Sequence, residues 1–156
     1  MIDSARAKFD AALAECELHS AVLSEAASLL PTSFTAEQAK TIDSQQRRLL
    51  DQAAYRFMKL QDSLGEKVLP GLLELTLDPL PPQATFNEKL QRLERLGAVN
   101  SADTWRLLRE VRNSLALEYS ENPALQAAAV TRRVGGIAQL LTLWAGVRRF
   151  TAERLS

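Results

Sequence analysis

Arg112, Asn113 and Tyr119 are the residues of this chain whose types and spacing could do chemistry. A guanidinium can hold a phosphate through paired N–H donors, an amide can orient it, and a phenol carries a hydroxyl. Trp105, Leu108, Leu115 and Tyr119 recur at helical spacing and mark one apolar stripe. Arg112 falls inside that stripe. A lone buried charge is very costly, so Arg112 is either paired with a carboxylate from a neighbouring helix or turned toward a cavity. On a continuous helix Tyr119 lies about two turns further on, nearly under Arg112.

The element that must position these residues is a helix expected over Ser101 to Ser120, with Ser101 or Asp103 accepting the free N–H groups of its first turn. Helix one is expected from Ser4 to Leu30, burying Phe9, Leu13, Cys16, Leu23, Ala27 and Leu30 and stopped by Pro31. Thr35-Ala36-Glu37-Gln38 has capping-box spacing and opens helix two, which continues through Val68 toward Leu77, with a kink or interruption at Pro70-Gly71. Its polar features are Arg56, Gln61 and Asp62, read either as solvated surface or as facing the site. Asp78-Pro79-Leu80-Pro81-Pro82 is a linker. Thr85 and Glu88 form a second capping box for helix three, with Phe86, Leu90, Leu93 and Leu96 as its stripe and Gly97 past its end. Asn122 and Pro123 start helix five, whose stripe is Val130, Val134, Ile137, Leu141 and Trp144. Gly135-Gly136 inside it permits close helix approach. No strand alternation and no repeat occur. The fold class expected is all-α: one domain over 1–156, an up-and-down bundle of about five helices.

Arg112-Asn113-Ser114-Leu115-Ala116-Leu117-Glu118-Tyr119 resembles the signature of the HEPN family, small helical proteins that include ribonuclease toxins encoded beside a minimal nucleotidyltransferase antitoxin. The motif runs Arg, a polar residue, three variable residues, His, one variable residue and often Tyr. Arg112, Asn113 and Tyr119 match it, and Leu117 stands at the His. Tyr55 to Gly65 resembles the second-helix segment of the toxin branch, and Leu93-Glu94-Arg95-Leu96-Gly97 fits as well.

The resemblance implies a HEPN-like bundle that pairs as a homodimer. It also implies a metal-independent endoribonuclease of a toxin–antitoxin pair, a cognate nucleotidyltransferase partner, an RNA substrate, and Tyr119 as a target of AMPylation. In such chemistry an imidazole moves protons and a guanidinium stabilises charge on phosphate. Five residues along a regular helix rotate by about 140°, so positions 112 and 117 face apart and the groove forms where two motif helices meet. Leu117 cannot transfer protons. The chain is then an inactivated variant of a toxin-family ribonuclease, or a non-catalytic module that docks the nucleotidyltransferase or a nucleotide.

The remaining composition limits the alternatives. The 156 residues carry a net charge of zero, with 8 basic and 12 acidic residues before position 83 and 11 basic and 7 acidic from there on. A basic second half rich in Arg suits RNA or an acidic partner. No apolar run approaches the roughly 20 residues of a membrane helix. The N-terminus lacks a signal-peptide pattern, and the single Cys16 suits a reducing cytoplasm. His19 is expected at the core's edge as a structural residue. With one His and one Cys, neither a metal nor a cofactor is expected.

Overall fold

A computed structural model describes residues 2–76 and 80–155, and all their regular structure is helical. The helices are α1 (Ile2–Ser28), α2 (Ala36–Lys40), α3 (Ser44–Ser63), α4 (Leu69–Glu74), α5 (Phe86–Leu96), α6 (Ala102–Asn113) and α7 (Pro123–Leu155). A π-helical turn, Leu64–Val68, joins α3 to α4, and a 3₁₀ turn, Leu115–Tyr119, follows α6. Helix α1 packs along α3. Helix α7 reaches α1, α2, α3, α6 and the 3₁₀ turn, so the core is organised around it.

The caps explain most of the boundaries. Thr35 accepts from the Gln38 N–H while the Gln38 side chain accepts from the Thr35 N–H, which completes the capping box. At α5, Thr85 accepts from the Glu88 N–H, but the Glu88 carboxylate takes the Thr85 hydroxyl rather than its N–H. Gly97 ends α5 with a φ of 89°. Ser101, and not Asp103, caps α6. Asn122 accepts from the N–H groups of Ala124 and Leu125, and Pro123 takes the first helical position.

The second expected helix is divided. Lys40 ends α2, and Asp43 caps a new helix by accepting from the Gln46 N–H at 2.8 Å. The interruption expected at Pro70-Gly71 falls one turn earlier. There the Leu69 N–H reaches back to the Leu64 carbonyl, and this wider turn accommodates Pro70 near the start of α4. Of the expected linker, Asp78 and Pro79 lie outside the described residues; Pro81 opens a turn closed by the Ala84 N–H.

The core holds Phe9, Cys16 and Leu23 from α1, Phe57, Leu60 and Leu64 around α3, Leu90 and Leu93 from α5, Trp105 and Leu108 from α6, and Ile137, Leu140 and Trp144 from α7. Burial at roughly 25 cal/mol per Å² of apolar surface makes this contiguous cluster the main stabilising term. Gly135-Gly136 does not break α7. A Cβ on Gly136 would stand 3.3 Å from Leu108, so the missing side chain lets α6 and α7 approach closely. Phe86, expected in the buried stripe of α5, is instead 38% exposed: in the first turn it meets α6 only through the ring of Trp105 and is otherwise open. No helix among the described residues is long and apolar enough to cross a membrane.

Candidate functional site

The motif helix is shorter than its sequence suggests. Helix α6 stops at Asn113, and the chain tightens into a 3₁₀ turn in which Leu117 N–H donates to Ser114 and Ser120 N–H to Leu117. A local contribution comes from Ser114, whose hydroxyl and N–H both donate to the Glu110 carbonyl, at 3.0 and 3.1 Å, a back-bond that bends the last turn. The expectation of one helix from Ser101 to Ser120 is therefore corrected, as is the placement of Tyr119 under Arg112. The rotation of about 140° between positions 112 and 117 no longer applies.

A second, longer-range cause holds the turn. Glu118 is buried on it and receives two bonds from the fully buried Arg133 of α7, Nε to Oε2 at 2.7 Å and Nη2 to Oε1 at 2.8 Å. Nη2 of Arg133 also donates to the Leu50 carbonyl, while its Nη1 is buried without a partner. Sequence reasoning missed the pair, although the signal was present: Arg133 lies in the stripe between Val130 and Ile137, as Arg112 lies between Leu108 and Leu115.

Arg112 meets a carboxylate from a neighbouring helix. Its Nη2 donates to both oxygens of Asp62 on α3, at 3.3 and 3.2 Å. The Nη1 of Arg109 reaches the same carboxylate at 3.3 Å, so one acid holds two guanidinium groups. The Nε of Arg112 is buried with no bond. Both side chains are partly open, which keeps their outer N–H donors available to a ligand.

Beside this cluster lies a pocket of about 360 Å³. Asp62, Arg109 and Asn113 border it, and Phe86, Leu90 and Trp105 form its apolar wall. The Phe86 and Trp105 rings stand 6.0 Å apart at 41°. Gln61 is fully buried on the same wall; its Nε2 donates to the Leu108 carbonyl at 2.7 Å and its Oε1 has no partner. Arg106 is held at the rim by Asp103 and Asn87. The sequence singled out Gln61 and Asp62, and both face this pocket. Arg56 does not; it donates to Nδ1 of His19 at 2.9 Å, across α1 and α3.

The remaining site residues are spread over the 3₁₀ turn. Leu117 is exposed, and so is Tyr119. The Tyr119 hydroxyl donates to Asp51 on α3 at 2.8 Å, and the Arg47 guanidinium stands 5.7 Å from its ring centre. Partial burial, aided by the Asp51 carboxylate, pushes the phenol up to about 12, so it carries its proton at neutral pH. His19 is shifted the other way, below its ordinary value, by burial and then by the Arg56 charge. Burial pushes the Cys16 thiol up to about 12 and leaves it unreactive.

No family model matches the chain. The curated proteins and the solved structures give no match either. Function is therefore to be read from the geometry and from the residues at positions 112–119. That geometry offers two guanidinium groups for an anion, an apolar pocket beside them, and an exposed phenol paired with a carboxylate.

Proposed function

We propose that this chain is a HEPN-type protein of the toxin branch, a metal-independent endoribonuclease by lineage, with its RNA-cleaving centre silenced at Leu117. The observation that carries the reading is the exposure of Leu117, 43%, on a turn where the adjacent Glu118 is buried. At that exposure the side chain can change without disturbing the core. A group able to transfer protons would be accommodated at the same position, one short turn past Arg112 and Asn113. Those two residues supply the phosphate-directed part of the chemistry, with Arg109 as a second cation.

In this reading the chain acts in the cytoplasm and pairs with a second copy. Leu107 on α6, Leu117 on the turn and Leu125 on α7 are all exposed and support such a contact. Tyr119 is the acceptor of an AMP group from the partner nucleotidyltransferase. Its hydroxyl points to Asp51, which takes the proton as the phenol oxygen attacks the α-phosphate of ATP held by the partner and pyrophosphate leaves. The alternative is a binding module that docks the same partner and never cuts RNA. Tyr119 serves both readings, so position 117 separates them. The test is Leu117→His, purified and incubated with labelled RNA in EDTA. Cleavage supports a silenced nuclease, and intact but bound RNA supports the binding module.

A further inference from the structure

The pocket bounded by α3, α5 and α6 carries negative charge that nothing in the chain neutralises, while the guanidinium groups on its lining are already held. We propose that it binds an organic monocation, an ammonium or guanidinium group on an apolar stem, with Glu66 and Glu110 facing the charge and Phe86, Leu90 and Trp105 facing the stem. The inference goes beyond the RNA reading and does not rest on it.

The charges decide the sign of the ligand. Asp62, Glu66 and Glu110 line the pocket together with Arg106 and Arg109. Asp62 and Arg109 are paired, with Arg112 behind them on the same carboxylate. Arg106 stands one turn before Glu110 and is kept from it: its Nη1 donates to Asp103 at 2.6 Å and its Nη2 to the Asn87 side chain at 2.5 Å. Among the described residues, no side chain bonds to the carboxylate of Glu66 or of Glu110. With Asp103 and Arg112 included, four carboxylates stand against three guanidinium groups, a balance of one negative charge. That balance resides on the two unpaired acids, and it attracts a ligand carrying one positive charge.

The walls decide the rest of the ligand. At about 360 Å³ the pocket is at the small end of ligand sites, with room for a single stem. Leu90 and Trp105 are buried in the wall, and Phe86 presents its ring at the surface. An aromatic face attracts a cation as well as an apolar stem. Glu66 is placed beside this wall by the π-helical turn that carries it. A Cβ on Gly65 would stand 3.0 Å from the Trp105 ring, so the glycine lets the indole lie against that turn. Such turns recur at functional sites. An anionic ligand would meet Glu66 and Glu110 as like charges, and a neutral one would leave both unmatched.

The test is calorimetric titration of the full chain with phenethylamine, and with phenethyl alcohol and phenylacetate as its neutral and anionic counterparts. The amine, charged at neutral pH, should bind about tenfold more tightly than the alcohol at low salt, and the advantage should shrink as salt is added. Glu66→Gln and Glu110→Gln, both at exposed positions, should each lower the amine's affinity several-fold and leave the alcohol unchanged. Phe86→Ala should weaken amine and alcohol alike. A blocked glycyl-lysyl-glycine peptide separates the two sources of such a cation. Tighter binding of the peptide assigns the pocket to a basic side chain of a partner protein, and tighter binding of the free amine assigns it to a small molecule. Equal affinity for amine and alcohol, preference for phenylacetate, or no binding of any probe overturns the proposal, and each of these leaves the RNA reading where Leu117→His puts it.

Discussion

Asp62 holds Arg112 through both carboxylate oxygens while also reaching Arg109, so the site's two cations share one buttress. That carboxylate competes with any phosphate for both guanidinium groups. Asp62→Asn should raise affinity for single-stranded RNA several-fold at low salt and steepen its salt dependence, because a freed guanidinium releases one more counterion. Binding titrations at several salt concentrations check this; an unchanged slope would exclude Arg112 from the phosphate contact.

Leu117→His should cost less than about 0.5 kcal/mol of stability, since the position is exposed and away from the core. It should raise RNA cleavage by about 10²–10⁴-fold through general acid–base help. Arg112→Ala in that background should abolish the gain. Gel analysis in EDTA, alongside growth after induction without the partner, measures both effects.

Tyr119 should gain the mass of one AMP when incubated with the cognate nucleotidyltransferase and ATP. Tyr119→Phe should remove the modification, and Asp51→Asn should slow it, because the phenol keeps its proton at neutral pH and needs a base. Intact mass spectrometry reads the result. Modification that survives Tyr119→Phe would eliminate Tyr119 as acceptor.

Glu118→Ala should destabilise the fold by about 3–5 kcal/mol, because it leaves the Arg133 guanidinium buried and uncompensated. Replacing both partners with apolar residues, Glu118→Leu with Arg133→Met, should recover most of that loss. Chemical denaturation of the two variants decides whether the pair is there for stability or for the conformation of the turn.

His19 gives a pH dependence whose sign follows from its depressed folded value. Above its ordinary value near 6.5 the ring is neutral in both states, and the stability is fully present. As pH falls toward the folded value the unfolded chain binds the proton first, and that stability is lost. The melting temperature should therefore drop below pH 6.5. In His19→Gln, which can still accept from Arg56, this part of the drop should disappear.

The sequence was most informative where one turn of chain decides the outcome. Thr35, Thr85, Ser101 and Asn122 mark helix starts because capping is local, and the structure has each of them in that role. The break at Asp43 carries the same kind of signal, a short acceptor side chain three residues before Gln46, and the reading of one continuous helix passes over it. The end of α6 was hidden for a different reason. Leu115 and Tyr119 keep helical spacing, but Arg133, distant in sequence, captures Glu118 and sets the turn. At the site, the cation in the apolar stripe and Asp62 as a residue that could face it were both legible, but not that the two pair, because Asp62 lies fifty residues earlier on another helix.

Helix α7, with 33 residues, is the surface against which α1, α2, α3, α6 and the 3₁₀ turn all rest. As the chain leaves the ribosome, the earlier helices emerge without the wall that covers their apolar sides. Arg6, in the first helix, finds its acceptor on Leu155 only when the last turn arrives, at a separation of 149 residues. Completion of the fold therefore waits on α7, although α1 and α3 can pack before it arrives. Until then its half-built bundle presents apolar surface to chaperones, and an arrest within α7 leaves a product suited to degradation rather than to function.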